Sequence, residues 1–151
     1  MVEPIKISKT DIALVHLETA IDLFLNNQNY ICAATLAGAA EEILGKIVYR
    51  SKKTNAFKEL CSSLKKEINL TLSETEIGKN HVNYPRNELK HFDYPEREIL
   101  EIDDQAIAIG LIVRAVTNLV EHDQSITHNT EAFLKWVYDN RPDLNPDNNN
   151  G

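Results

Sequence analysis

The chain has 151 residues, the length of one domain, and its 42% apolar and 26% charged residues are ordinary for a soluble globular protein. A net charge of −7 argues against nonspecific nucleic-acid binding over the whole surface, and no apolar run approaches the ~18 residues of a membrane span. Five glycines and five prolines leave few turn signals, which favours long helices over many short strands.

Residues 10 to 27 read as a first helix. Leu14, Leu17, Ile21, Phe24 and Leu25 recur at helical spacing, and Thr10 or Asp11 can cap it. Asn26 to Asn29 is a polar stop, short enough to make the next helix an antiparallel neighbour. Residues 29 to 50 form that second helix. Ala33, Ala34, Ala37, Gly38, Ala39 and Ala40 remove bulk over two turns, so another backbone can approach closely, and this helix is expected at the centre. Thr54 is the expected cap of a third helix, with an apolar stripe of Phe57, Leu60, Cys61, Leu64 and Ile68. Ser73 and Glu76 have the spacing of a capping box and open a short fourth segment.

Tyr84-Pro85 marks a helix start, because proline suits a first turn and disfavours helix before it. Asp103 or Asp104 caps a last long helix running through Ile107, Leu111, Val116 and Val120, so apolar all round that it must lie between several neighbours or at a subunit interface. Arg114 interrupts it. That arginine reads as a side chain reaching the surface along its stem, with a second cation near a site as the alternative. Thr130 can start a short helix containing Phe133 and Trp136, which is too apolar to hang free and should dock on the body. The expected architecture is all-α, an antiparallel bundle of about five helices over residues 1–140, with a disordered end at 141–151.

Chemistry concentrates in Arg86-Asn87-Glu88-Leu89-Lys90-His91. A permanent cation can hold a phosphate oxygen, a neutral imidazole can take a proton near pH 7, and the amide of Asn87 can orient either. On a continuous helix Asn87 and His91 share a face, while Arg86 and His91 are roughly 140° apart. A site assembled from two copies of the segment is therefore plausible. Glu41 and Glu42 read as exposed helix charge or as carboxylates that pair with Arg86 and hold it in place. Lys46, Arg50, Lys52, Lys53, Lys58, Lys65 and Lys66 stand against Glu59 alone, a local balance of +6. They read as a solvated face or as a ridge guiding an RNA backbone.

Cys32 and Cys61 read as small buried apolar side chains, with no spacing that suggests zinc. No metal or cofactor is expected, since no Gly-rich phosphate loop or serine triad motif is visible. The start, Met1-Val2-Glu3-Pro4, lacks the basic and apolar stretches of a signal peptide, so a cytoplasmic protein is expected. His16, His81, His122 and His128 read as surface or boundary residues, with His81 nearest the motif in sequence.

On two places the chain resembles the HEPN family of small all-helical domains, whose signature is Arg, a polar residue, a few residues and then His. One is Arg86 to His91, followed by Phe92. The other is the small-residue helix Ala33 to Lys46, in which an Ala-rich stretch runs into Glu41-Glu42. The likeness covers about residues 10 to 122. It implies a bundle of four or five helices, usually dimeric, with the motif near the dimer interface. Many members are metal-independent endoribonucleases, often toxins or defence effectors, while others are inactive or bind nucleotides.

Carried over, Arg86 would contact phosphate, His91 would move the proton and Asn87 would assist. In a subgroup of toxins neutralised by a nucleotidyltransferase partner, a tyrosine stands two residues after the histidine. Here Asp93 stands there and Tyr94 follows, so that mode of regulation is not implied. The expectation is a homodimer bringing both motif segments into one cleft that cuts RNA, with an antitoxin-type protein as a further partner. The alternative is a non-catalytic module that binds a nucleotide, RNA or a partner protein through the same cleft.

Overall fold

The computed structural model describes residues 1–68, 73–122 and 125–144, with the side chains of all of these except 67, 68, 80 and 81. Among them every regular element is helical. The α-helices are α1 (Lys9–Asn27), α2 (Tyr30–Lys52), α3 (Ala56–Ile68), α4 (Glu74–Ile77), α5 (Tyr84–Glu88), α6 (Asp104–Glu121) and α7 (His128–Asn140). Five of them have at least 13 residues, whereas α4 and α5 have 4 and 5.

Helix α2 is central because its small residues admit two neighbours. Ala33, Ala34, Ala37 and Ala40 are fully buried, with Leu17, Ile21 and Phe24 of α1 and Ile112, Ala115 and Leu119 of α6 in the same core. Helix α7 docks on α1 through aromatic contacts. Phe133 and Trp136 both meet the Phe24 ring edge-on, with centroids 5.2 and 4.9 Å away, a geometry that aromatic quadrupoles favour. The face of α6 turned from α2 leaves Val113 and Val120 exposed.

Several helix starts lie upstream of where the apolar stripes begin. Ser8, not Thr10 or Asp11, caps α1, its Oγ accepting from Asp11 N at 3.0 Å. Asn55, not Thr54, serves α3, its Oδ1 accepting from Lys58 N at 2.9 Å. Thr127, not Thr130, caps α7, and Thr130 is buried one turn in. Each true cap lies where its short side chain reaches back to an N–H three residues on, which the apolar periodicity does not mark. Ser73 and Glu76 form the expected capping box at α4, and Asp103 caps α6.

Two places depart further from the sequence reading. The chain continues from α4 into a π-helical turn, Gly78–Val82, closed by Asn83 N donating to Gly78 O at 2.8 Å. Gly78 is required there, since a Cβ on it would stand 2.6 Å from Phe57 Cζ. Arg141, at the start of the stretch expected to be a disordered end, donates to Asp103 and Gln105 at 2.9 and 2.8 Å. A 3-10 turn, Pro142–Leu144, follows it. Ile68 of the expected α3 stripe and His81 fall outside the described side chains, and Asp123 and residues 145–151 fall outside the described residues.

Candidate functional site

Helix α5 begins at Tyr84-Pro85 and stops at Glu88, so His91 lies beyond it rather than on one continuous turn with Arg86. The segment stays compact because Lys90 N and His91 N both donate to Asn87 O, at 3.2 and 3.0 Å. His91 is exposed, while Arg86, Asn87 and Glu88 are partly buried. Glu88, which the sequence leaves without a role, receives Arg97 Nη1 at 2.8 Å. The Arg97 guanidinium also lies over the rings of Tyr84 and Tyr94, 5.4 and 4.5 Å from their centroids. This cation–π stack ties the chain after the motif back to its start.

Arg86 does not project into water. Its stem lies on Gly38 of α2, where a Cβ would stand 2.9 Å from Arg86 Cδ. Its Nη1 is then 3.5 Å from Glu41 Oε2 and 3.8 Å from Glu42 Oε2. Arg114 of α6 approaches the same Glu41 oxygen, with Nη2 at 3.6 Å. The reading of Arg114 as a cation reaching the surface is thus corrected: its side chain is 11% exposed, and it stands beside Arg86. Glu41 is buried and not surface charge, whereas Glu42 is exposed and is held mainly by Lys46 at 2.9 Å.

The electrostatics follow from this burial. Desolvation pushes the Glu41 carboxyl above its usual range, against the pull of Arg114 and then Arg86. Burial likewise lowers the Arg114 guanidinium from its usual value. The Lys46 hydrogen bond brings Glu42 down. The pairs that Arg86 and Arg114 make with the glutamates, 3.5 to 3.8 Å, are longer than the ~2.7–2.9 Å of tight charge-assisted bonds. Arg86 Nε and Arg114 Nε are buried with no hydrogen-bond partner among the described residues, so two guanidiniums share one deeply buried carboxylate and their donors are incompletely used.

Asn118 of α6 completes the cluster. Its Nδ2 donates to Glu41 O at 3.4 Å and its Oδ1 accepts from Ala56 N at 2.9 Å, satisfying the first amide of α3. Gly45 makes room, since a Cβ there would meet Asn118 Nδ2 at 3.3 Å and Asn55 Nδ2 at 3.4 Å. A signal for this cluster does exist in the sequence. Gly38, Glu41 and Gly45 stand at i, i+3 and i+7, one stripe of α2, and Arg114 and Asn118 at i and i+4 of α6.

Two of the cavities at this region share a wall of Phe57 and Asn83. A niche of about 200 Å³ lies against Arg86, Glu41, Glu42 and Lys46. A larger pocket of about 360 Å³ lies against Asn87, with Lys58, Thr75 and Lys79. Adjacent residues of the motif thus face different cavities, and His91 lines neither. The basic residues from Lys46 to Lys66 are all exposed. Some are engaged locally: Lys52 with Glu121 at 3.4 Å, and Lys58 over the Tyr49 ring at 5.0 Å. Cys61 is buried, but Cys32 is exposed, contrary to expectation, because it sits in the first turn of α2 where no neighbour covers it.

Among the described residues, no group of three or more His, Cys, Asp or Glu side chains is arranged to hold a metal ion. Among the described residues, too, no helix is long and apolar enough to cross a membrane. Comparison with protein-family models, with curated proteins and with solved structures finds no match to this chain.

Proposed function

We propose that the chain is a HEPN-like, metal-independent endoribonuclease of toxin or defence type. It would act in the cytoplasm as a homodimer whose two Arg86–His91 segments form one composite site. The fold behind this reading is an antiparallel bundle of about five helices. The observation that carries it is the fixing of Arg86. A buried carboxylate and a glycine groove hold its position beside an open niche, with a second guanidinium on the same carboxylate, while His91 stands exposed three residues past the end of the same short helix.

In this mechanism His91 takes the proton from the ribose 2′-hydroxyl as that oxygen attacks phosphorus. The P–O5′ bond breaks and the leaving 5′-oxygen takes a proton from water, giving a cyclic phosphate and a 5′-hydroxyl end. Arg86 stabilises the negative charge that builds on the phosphoryl oxygens, with Arg114 adding to the positive potential from behind. Asn87 orients the phosphate. DNA lacks the nucleophile and would not be cut. RNA cleavage in excess chelator, compared between the native protein and His91→Ala, tests this: equal rates remove His91 from the chemistry.

One observation favours a second reading. Arg86 already faces two carboxylates, so part of its charge is used internally. On that reading the module binds a nucleotide, RNA or an antitoxin-type protein without cutting. Native protein that binds RNA and leaves it intact would select it.

A further inference from the structure

The pocket on the Asn87 side of the motif belongs to neither the Arg86 cluster nor His91. We infer that it binds a ribonucleoside phosphate, free or as one unit of a single-stranded RNA. At about 360 Å³ it falls within the ~300–1,000 Å³ usual for small-ligand sites, which the niche beside Arg86 does not reach. Its wall supplies each group such a ligand needs. Lys58 and Lys79 line it as two cations for a phosphate, the Lys58 ammonium lying 5.0 Å from the Tyr49 ring centroid, and Thr75 and Asn87 bring neutral polar groups beside them. The Phe57 ring lines the pocket, with the Arg114 guanidinium 5.9 Å from its centroid, and a base can stack on it. Asn83, on the wall shared with the niche, has its Oδ1 buried with no hydrogen-bond partner among the described residues, which is costly, and a ribose hydroxyl or base N–H would satisfy it.

Charge selects the same ligand class. Among the described residues Glu74 is the one carboxylate on the wall, against two lysines, and burial pushes the Cys61 thiol above its usual range. An anion carrying hydrogen-bond donors fits better than a cation or an apolar molecule. The segment from Lys46 to Lys66, rich in bases on an otherwise acidic chain, contributes Lys58 to the wall. Lys79 lies outside that segment and carries no signal in the sequence. The choice of a ribonucleotide over other organic phosphates rests on reading the chain as an RNA-acting protein.

The test is binding to the full-length His91→Ala protein, which separates recognition from cleavage. Adenosine and cytidine monophosphates, the matching nucleosides, inorganic phosphate and a short uncleaved single-stranded RNA are titrated by calorimetry. Exposed lysines permit clean variants, so Lys58→Gln and Lys79→Gln are compared with Lys135→Gln on α7 as a control. The expected result is nucleotide binding weakened roughly tenfold by each pocket variant and unchanged by the control. RNA binding lost in parallel assigns the unit to a strand, and nucleotide binding without RNA binding assigns a free ligand. Inorganic phosphate binding as tightly as the nucleotides, or nucleotide affinity indifferent to Lys58 and Lys79, overturns the inference. Absence of cleavage by the native protein bears only on the nuclease reading.

Discussion

Arg86 reaches Glu41 by lying across Gly38. The absence of a side chain at residue 38 lets the Arg86 stem run against α2, and the guanidinium ends with Nη1 3.5 Å from Glu41 Oε2. Sequence motif and small-residue helix are therefore parts of one arrangement: the stripe of α2 that lacks bulk is the stripe that seats the arginine.

Gly38→Ala tests that seating. Alanine gains about 1 kcal/mol of helix propensity, but overpacking costs about 1–3 kcal/mol. The cost should prevail, because the 2.9 Å contact falls on Cδ, close to the anchored stem and not at a free tip. Urea unfolding should show a net loss of about 1 kcal/mol, and any RNA cleavage should fall at least tenfold as Arg86 is displaced. Gly110→Ala is the counterpart. Nothing lies within 4 Å of its new Cβ, so it should stabilise by about 0.5–1 kcal/mol with activity retained. Identical behaviour of the two variants would contradict the packing of Arg86 on Gly38.

Removing the Glu41 carboxylate should be among the most damaging single changes. Glu41→Ala leaves Arg86 and Arg114 facing one another with mostly buried side chains. Breaking such a buried arrangement costs about 3–5 kcal/mol. Glu41→Gln keeps the shape and one acceptor and should cost less. Chemical denaturation of both proteins checks the order, and a loss below about 1 kcal/mol for Glu41→Ala would mean that the arginines find other partners.

The direction of the Glu41 shift fixes a pH dependence. Its folded pKa lies above the ordinary 4.5, so the folded protein holds a proton that the unfolded chain has released. Stability from this group is fully present below about pH 4.5 and declines as pH rises through the folded value. Asp103 and Asp143, lowered chiefly by their hydrogen bonds to Arg141, act oppositely: their contribution is present above about 3.8 and fades in acid. The stability of the native protein relative to Glu41→Gln should therefore fall between pH 4.5 and neutrality. A difference that grows with pH over that range would reverse the sign of the shift.

Asp103 has two separable jobs. Its Oδ1 accepts from Ala106 N at 2.9 Å as the cap of α6, and its Oδ2 receives Arg141 Nη2 at 2.9 Å. Asp103→Asn should keep most of the cap and lose the ionic tie. Asp103→Ala should lose both, with the cap alone contributing about 0.5–2 kcal/mol. Limited proteolysis after residue 140 should increase in both variants, and thermal unfolding should shift mainly in the alanine one. Equal thermal effects would show that the cap contributes nothing measurable.

Helical class was legible because Leu17, Ile21 and Phe24, or Phe57, Cys61 and Leu64, recur at the period of a helix with few glycines or prolines between them. The seat of Arg86 was only half legible. Glu41 and Glu42 could be placed opposite the motif, but nothing local says that Glu41 is buried, since burial depends on α6 lying across α2. Arg114 looked like a polar interruption of an apolar helix for the same reason. The π turn at Gly78 escaped because a hydrogen bond spanning five residues leaves no mark in apolar periodicity. The end of α5 before His91 escaped because the segment remains compact through backbone bonds to Asn87 O.

The most direct test is the chemistry of the RNA ends produced in excess chelator. Native protein should yield 2′,3′-cyclic phosphate and 5′-hydroxyl termini on RNA and leave DNA untouched. His91→Ala should yield no cut product while unfolding at the same urea concentration, since residue 91 is exposed. Intact RNA after incubation with the folded native protein, or the same termini from His91→Ala, would contradict a site built from Arg86 and His91.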